Sequence, residues 1–278
     1  MRASCCRAGA LLIAGALAVA PPLAAQSPEE RAAGRKILQQ WQDAVVNVRV
    51  VVKMRVSMGG REMQASEETI DSVATLLDAS GLAVMSLQVL NPGGFLKQMM
   101  GGMSQQGGSP QFDMTSEPTD VRMRMKDGSE LQAKVALRDE DLNLAFIRPT
   151  AAPPQTLTHL ATAEVGRPIA LDPVVIVSRL GRVGGWGGAA SLVYVQAVVD
   201  KPRPMYVAQP GGIGGLGTPA FLLDGRLAGF VVMRSVTGSG SGMLGMMSGN
   251  AENMGVLPII LPADDVREIA KQAAATKP

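Results

Sequence analysis

The sequence predicts an all-β fold, a sandwich or a pair of packed barrels, with a short helix at each end. Three observations predict it. Short Val- and Leu-rich runs recur along the chain, separated by Gly, Pro and Asp, which is how strands and their turns read. The 278 residues suffice for one large all-β domain or two barrels with a real core. Hydrophobic residues make up 46% against 18% charged, enough apolar surface to fold. Aromatics are only 3%, with 32 Gly, 18 Pro and 17 Met, so Val, Leu, Ile, Ala and Met must fill that core.

Residues 1–25 are expected to be an export signal. Arg2 and Arg7 precede an apolar run over 8–20, followed by Pro21, Pro22 and the small pair Ala24-Ala25. The run is too short for a spanning helix, and no later stretch reaches 18 uninterrupted apolar residues, so the mature chain is expected to be exported, periplasmic or secreted, without a membrane span. Both cysteines, Cys5 and Cys6, fall in the signal, which excludes disulfides, thiolate catalysis and Cys-ligated metal from the mature chain. They precede the apolar run, whereas a lipid-anchor cysteine should follow it. Removing Arg2 and Arg7 leaves 24 bases against 24 acids. Without a basic stripe, nucleic acid is not an expected partner.

The elements follow in order. Residues 26–43 read as a helix: Ser27 caps it, Pro28 opens it, Glu30 completes a capping box, and Ile37, Leu38 and Trp41 form its apolar stripe. Strands are expected at 44–57, 69–77, 82–86, 121–125, 130–137 and 142–147. A turn at 78–81 and a hairpin at 126–128 join neighbours, and Met123 and Met125 alternate with Arg122 and Arg124 toward a core face. This first unit spans 44–150. Ala151-Ala152-Pro153-Pro154 reads as the linker. The second unit, 155–278, has strands at 173–178, 192–199, 205–208, 220–223, 227–233 and 256–260. It ends in a helix starting at Pro262, with Val266, Ile269, Ala270 and Ala273 on one face. Two Gly-, Ser- and Met-rich insertions, 91–118 and 238–254, are expected to be long mobile loops.

Single motifs carry little. The run from Gly212 to Gly217 spells G-x-G-x-x-G, but Thr218-Pro219 and a strand follow where a nucleotide site needs a helix N-terminus. His159 is the only histidine, so no His-rich metal site exists, and it is expected in a surface loop. Asp139-Glu140-Asp141 reads as a solvated turn. Met99, Met100 and Met103 would suit Cu(I) as thioether ligands, but no His or Cys assists them, and no metal or other cofactor is expected. The bland alternative for these methionines and for Met243, Met246 and Met247 is a disordered surface loop. The other is an adaptable apolar binding surface.

The order of segments says more. Residues 78–89, 121–128 with Ala133 and Val135, 139–147, 214–229 and 255–258 follow one another as do the signature stretches of the HtrA-like branch of the trypsin-like serine proteases. Over about residues 43–270 the chain resembles that family. The resemblance implies two packed trypsin-like β-barrels meeting near residues 151–154. Many members add a C-terminal peptide-binding PDZ domain, which is not expected here.

The departures bear on function. At the position of the family's general-base histidine this chain has Gln88. At that of the orienting aspartate it has Asn143, and at that of the nucleophilic serine it has Leu216. The triad needs an ionisable base beside an alcohol and an anion to hold that base. Gln88 takes no proton near neutral pH, Asn143 has no charge, and Leu216 has no nucleophilic atom. The expectation is a catalytically inactive homologue that binds a peptide, a cell-envelope protein or its own copy. Binding would run through the former cleft, with Gly214, Gly215 and Gly217 presenting backbone N–H groups and the methionine loops at its rim. The alternative is an active serine endopeptidase using Ser86 or Thr218, or a lysine such as Lys97 as base.

Overall fold

In the computed structural model, residues 27–58, 61–94, 112–154, 156–209, 215–235 and 256–276 are described. They form two closed six-stranded antiparallel β-barrels with a helix at each end. The first barrel comprises β1 (Val45–Met58), β2 (Arg61–Leu76), β3 (Ala83–Ser86), β4 (Phe112–Arg124), β5 (Glu130–Asp139) and β6 (Leu144–Pro149). The second comprises β7 (Pro173–Arg179), β8 (Gly188–Val199), β9 (Met205–Ala208), β10 (Pro219–Leu222), β11 (Leu227–Ser235) and β12 (Val256–Pro262). The signal, both cysteines, Lys97, Gly214, and the methionines at 99, 100, 103, 243, 246 and 247 lie outside the described residues.

Side chains alternate across each strand, so one face of every barrel strand lines its own barrel, and the other face of most strands joins a second core. Val46, Val48, Val50 and Val52 of β1 meet Met85, Met123 and Ile147 inside the first barrel. Val174, Ile176, Ala220, Val231 and Ile260 fill the second. The opposite faces build a shared layer between the barrels: Val84 and Phe146 from the first, Val175, Phe221, Phe230 and Leu261 from the second.

The terminal helices dock on that layer and reach beyond the strand nearest in sequence: the N-terminal one crosses to the other barrel, and the C-terminal one packs on β11, β12 and β5. α1 (Pro28–Trp41) precedes the first barrel but packs on β7 and β8 of the second, where Trp41 stacks on Phe221 at 5.7 Å. Its capping box is present as expected, Ser27 and Glu30 bonding reciprocally, and Glu30 also accepts from the Tyr194 hydroxyl at 3.0 Å. A short 3₁₀ turn, Gln42–Ala44, completes what was expected as helix to residue 43. The C-terminal helix, Ala263–Ala275, follows the second barrel, yet Arg148 of β6 donates to its last carbonyls at Ala273 and Ala274, at 3.1 and 3.0 Å. A guanidinium is favoured there by the orphan carbonyls and the negative end of the helix dipole.

Arg179 fastens the barrels at one end. Its guanidinium, only 11% exposed, donates to the carbonyls of Val45, Gln42 and Trp186 and to Asp43. Asp43 also pairs with Lys126 at 2.7 Å, and Arg124 lies over the Trp186 ring at 4.9 Å.

One expectation is overturned. The 91–118 insertion is not a loop throughout: 92–94 form a helical turn and 112–118 belong to β4. β2 likewise begins at Arg61, eight residues before the expected 69. Beyond Val52 the strands β2, β1 and β4 continue as a three-stranded arm with no described side chain buried. At about 3.4 Å per residue, the six residues of β1 past Val52 reach about 20 Å. The Met/Gly composition around Gly101 and Gly107 concealed the strand that follows it.

Candidate functional site

β3 ends at Ser86, whose Oγ accepts from the Gln88 N–H at 3.3 Å and so caps the four-residue helix α2 (Leu87–Leu90). Leu87 and Leu90 are buried in the first-barrel core, which fixes α2 across that barrel's end. Gln88, in its first turn, is half-buried.

Asn143 stands just before β6, beside this helix: its carbonyl accepts from the Leu87 N–H at 3.0 Å. Its φ of +57° is one that Asn tolerates better than most residues. Its Nδ2 reaches across to the second barrel and donates to the Met233 carbonyl at 3.1 Å.

The third segment is the turn before β10. Gly217 donates its N–H to Val231 O at 2.7 Å and accepts from Thr75 Oγ1 at 2.7 Å. Thr218 Oγ1 closes the turn on Gly215 O at 2.6 Å. Glycine is required at 217 twice over: φ is +86°, and a Cβ would stand 2.8 Å from Met85 Cα. The turn therefore lies directly on the end of β3.

The fold thus brings the segments bearing Gln88, Asn143 and Leu216 to one seam between the barrels. Their side chains do not form a relay. Leu216 packs against the interior cluster of the second barrel, with Ala220 and Val231. Asn143 spends its amide on a cross-barrel bond. Gln88 has no carboxylate or imidazole among its hydrogen-bond partners in the described residues. Ser86 and Thr218 are buried and already bonded within their own turns. His159 lies in the stretch after the linker, where its Nδ1 accepts from the Ala161 N–H, capping a short 3₁₀ turn. Asp139 Oδ1 accepts from the Leu142 N–H, so the acidic run closes a turn.

The ionisable groups with shifted pKa values lie elsewhere. Glu30 is held below the ordinary carboxylate value by the Ser27 backbone N–H and the Tyr194 hydroxyl. Asp224 is lowered by its hydrogen bond from Arg226. Among the described residues, no group of three His, Cys, Asp or Glu is placed to hold a metal. No described helix is long and apolar enough to cross a membrane.

Both loop insertions start from this neighbourhood. The segment 95–111 leaves six residues after Gln88. The segment 236–255 is bracketed by the Ser235–Val256 pair, two residues beyond the Met233 carbonyl that holds Asn143. No expectation from sequence located the cross-barrel ties of Asn143, Thr75 and Arg179; their partners lie 90, 142 and 136 residues away, beyond any local pattern.

No protein-family model matches the chain, and no curated protein matches it by sequence. Among solved structures, the chain is similar to a variant of the HtrA-type protease AlgW with a decapeptide, at 13% identity and a TM-score of 0.52, over 86% of this chain. This chain spans about 65% of that protease's length. The fold is trypsin-like: two six-stranded barrels with flanking helices.

Proposed function

We propose that this is an exported, non-catalytic protein of trypsin-like fold that binds a peptide or protein partner of the cell envelope. The seam between the barrels is its binding cleft, and the Met/Gly-rich segments from 95 and 236 form the rim. One observation carries the reading. The three positions where the resembling proteases place base, orienting acid and nucleophile hold Gln88, Asn143 and Leu216, and the last two are engaged in packing and cross-barrel bonding. Acyl transfer needs a nucleophile within reach of a base. The turn at Gly215 and Gly217 still lies at the seam beside strand ends that suit an extended peptide, but the Gly217 N–H, expected from the sequence to be presented there, is spent on the Val231 carbonyl.

The test is covalent labelling with a fluorophosphonate probe together with casein hydrolysis. No labelling and no turnover are expected. Labelling abolished by Ser86→Ala or Thr218→Ala would overturn the reading. Restoring Leu216→Ser alone should give nothing, because the base is still missing. Partner binding is tested by deleting 95–111 and 236–255, which spares β4. Capture of envelope partners should be lost while the melting temperature stays nearly unchanged.

A further inference from the structure

The arm has two outer edges, and they are built differently. The edge of β4 is blunted. Pro118 lacks an N–H, the register with β1 slips beside it between Val51 and Val52, and Gly93 packs over it, donating to Ser116 Oγ at 2.9 Å. These are the usual guards of an edge strand.

The edge of β2 has none of them. Its register with β1 is unbroken from Gln64 opposite Val56 to Thr75 opposite Val45, it holds no proline, and it pairs with β3 only at Thr75 and Leu76. Residues 64–73 therefore leave every second backbone N–H and C=O without a strand partner among the described residues. Side chains 65–72 are exposed or half-exposed, so no described element covers this edge.

Charge selects the occupant. The edge carries Glu67, Glu68 and Asp71 and no cation. Arg49 takes Asp71 at 3.3 Å, while Glu67 and Glu68 have no ion pair or hydrogen bond among the described residues. Two copies pairing edge to edge would set these carboxylates against each other, which is unfavourable in a cross-strand pair. An extended segment bearing Lys or Arg would gain both the ladder hydrogen bonds and opposite charges.

We propose that the open edge of β2, residues 64–73, is a strand-addition site for an extended basic segment of a partner protein. The site runs from the arm along the barrel wall, meets the seam only at Val73, and does not depend on the cleft reading.

The test uses the whole protein and a capped ten-residue peptide alternating Lys with Thr. Two versions N-methylated at alternate residues, one in each phase, and a Glu-for-Lys counterpart serve as controls. Binding is read by fluorescence anisotropy and the footprint by amide hydrogen exchange. The Lys–Thr peptide should bind and slow exchange of alternate amides within 64–73, and the Glu–Thr peptide should not bind. N-methylation in one phase should weaken binding at least tenfold, because it removes the ladder donors. The double variant Glu67→Lys with Glu68→Lys should also raise Kd at least tenfold, with Glu117→Lys on β4 changing it less than twofold and an unchanged circular dichroism spectrum for both. Protection on β4 or at 215–217, no effect of N-methylation in either phase, or self-association through β2 would each overturn the proposal.

Discussion

The two barrels close their strands in the same order, yet they differ in where the strands stop. In the first the ring runs β1-β2-β3-β6-β5-β4, and in the second the matching strands, six later, run in the same ring. The second barrel's strands β9 and β10 are four residues each, and Leu216 packs on its interior beside the Gly217 turn. Three strands of the first barrel run well past its core into a polar arm. The same topology therefore yields two surfaces: a tight glycine turn set at the seam by the second barrel, and a long strand edge that the first carries outward from the seam. The shared apolar layer is what makes them one molecule.

The largest expected effect tests that shared layer. Phe146, fully buried, contributes its ring to the inter-barrel cluster. Phe146→Ala should cost about 3–5 kcal/mol through lost burial and a residual cavity. Because both barrels lean on the layer, urea unfolding followed by tryptophan fluorescence and by circular dichroism should stay a single coincident transition with a lower midpoint. Two separated transitions would show that the barrels fold independently.

Arg179→Met is expected next. It removes a nearly buried cation with four acceptors and leaves Asp43 with only the exposed Lys126. Breaking such a pair from one side costs about 3 kcal/mol. Asp43→Asn with Arg179→Met should recover part of that loss, and a double variant no better than the single would mean the pair itself is unimportant.

A smaller pair of substitutions separates barrel from arm. Val50 is fully buried on β1, whereas Val56 is half-buried six residues further along the same strand. Val50→Ala should cost about 2 kcal/mol and Val56→Ala about 0.5 kcal/mol or less. Equal losses would mean that the arm packs on something that stabilises it.

The same contrast explains what the sequence disclosed. The alternation Val46, Val48, Val50, Val52 is plain because one face of β1 meets a core. Residues 61–68, Arg-Glu-Met-Gln-Ala-Ser-Glu-Glu, show no alternation, and no described side chain of the arm is buried to impose one, so half of β2 went unseen. At the seam, the order of segments located Gln88, Asn143 and Leu216. That Leu216 turns to the second barrel, and Asn143 to Met233, depends on packing between segments far apart in sequence.

The smallest effect concerns how α1 holds the second barrel, and its sign follows from two shifted groups. Glu30 is held below its ordinary value of 4.5, first by the Ser27 backbone N–H and then by the Tyr194 hydroxyl. A depressed carboxylate stabilises the folded state above its unfolded pKa, and that contribution is lost as pH falls through the folded value. Tyr194 is raised above 10.0, first because its hydroxyl donates to Glu30. A raised group contributes fully below its unfolded pKa and loses that contribution as pH rises through the folded value. The tie should therefore operate between about pH 4.5 and pH 10 and weaken on both sides. Trp41 on α1 reports it, since its ring stacks on Phe221. With Trp186→Phe removing the other indole, Trp41 fluorescence should change at both ends of a pH titration. Tyr194→Phe should abolish the alkaline change and shift the acid one upward slightly, because the Ser27 bond to Glu30 remains. Glu30→Gln should abolish both. An alkaline change that survives Tyr194→Phe would show that α1 is released by some other group, and that the helix of the first barrel is not anchored to the second at this bond.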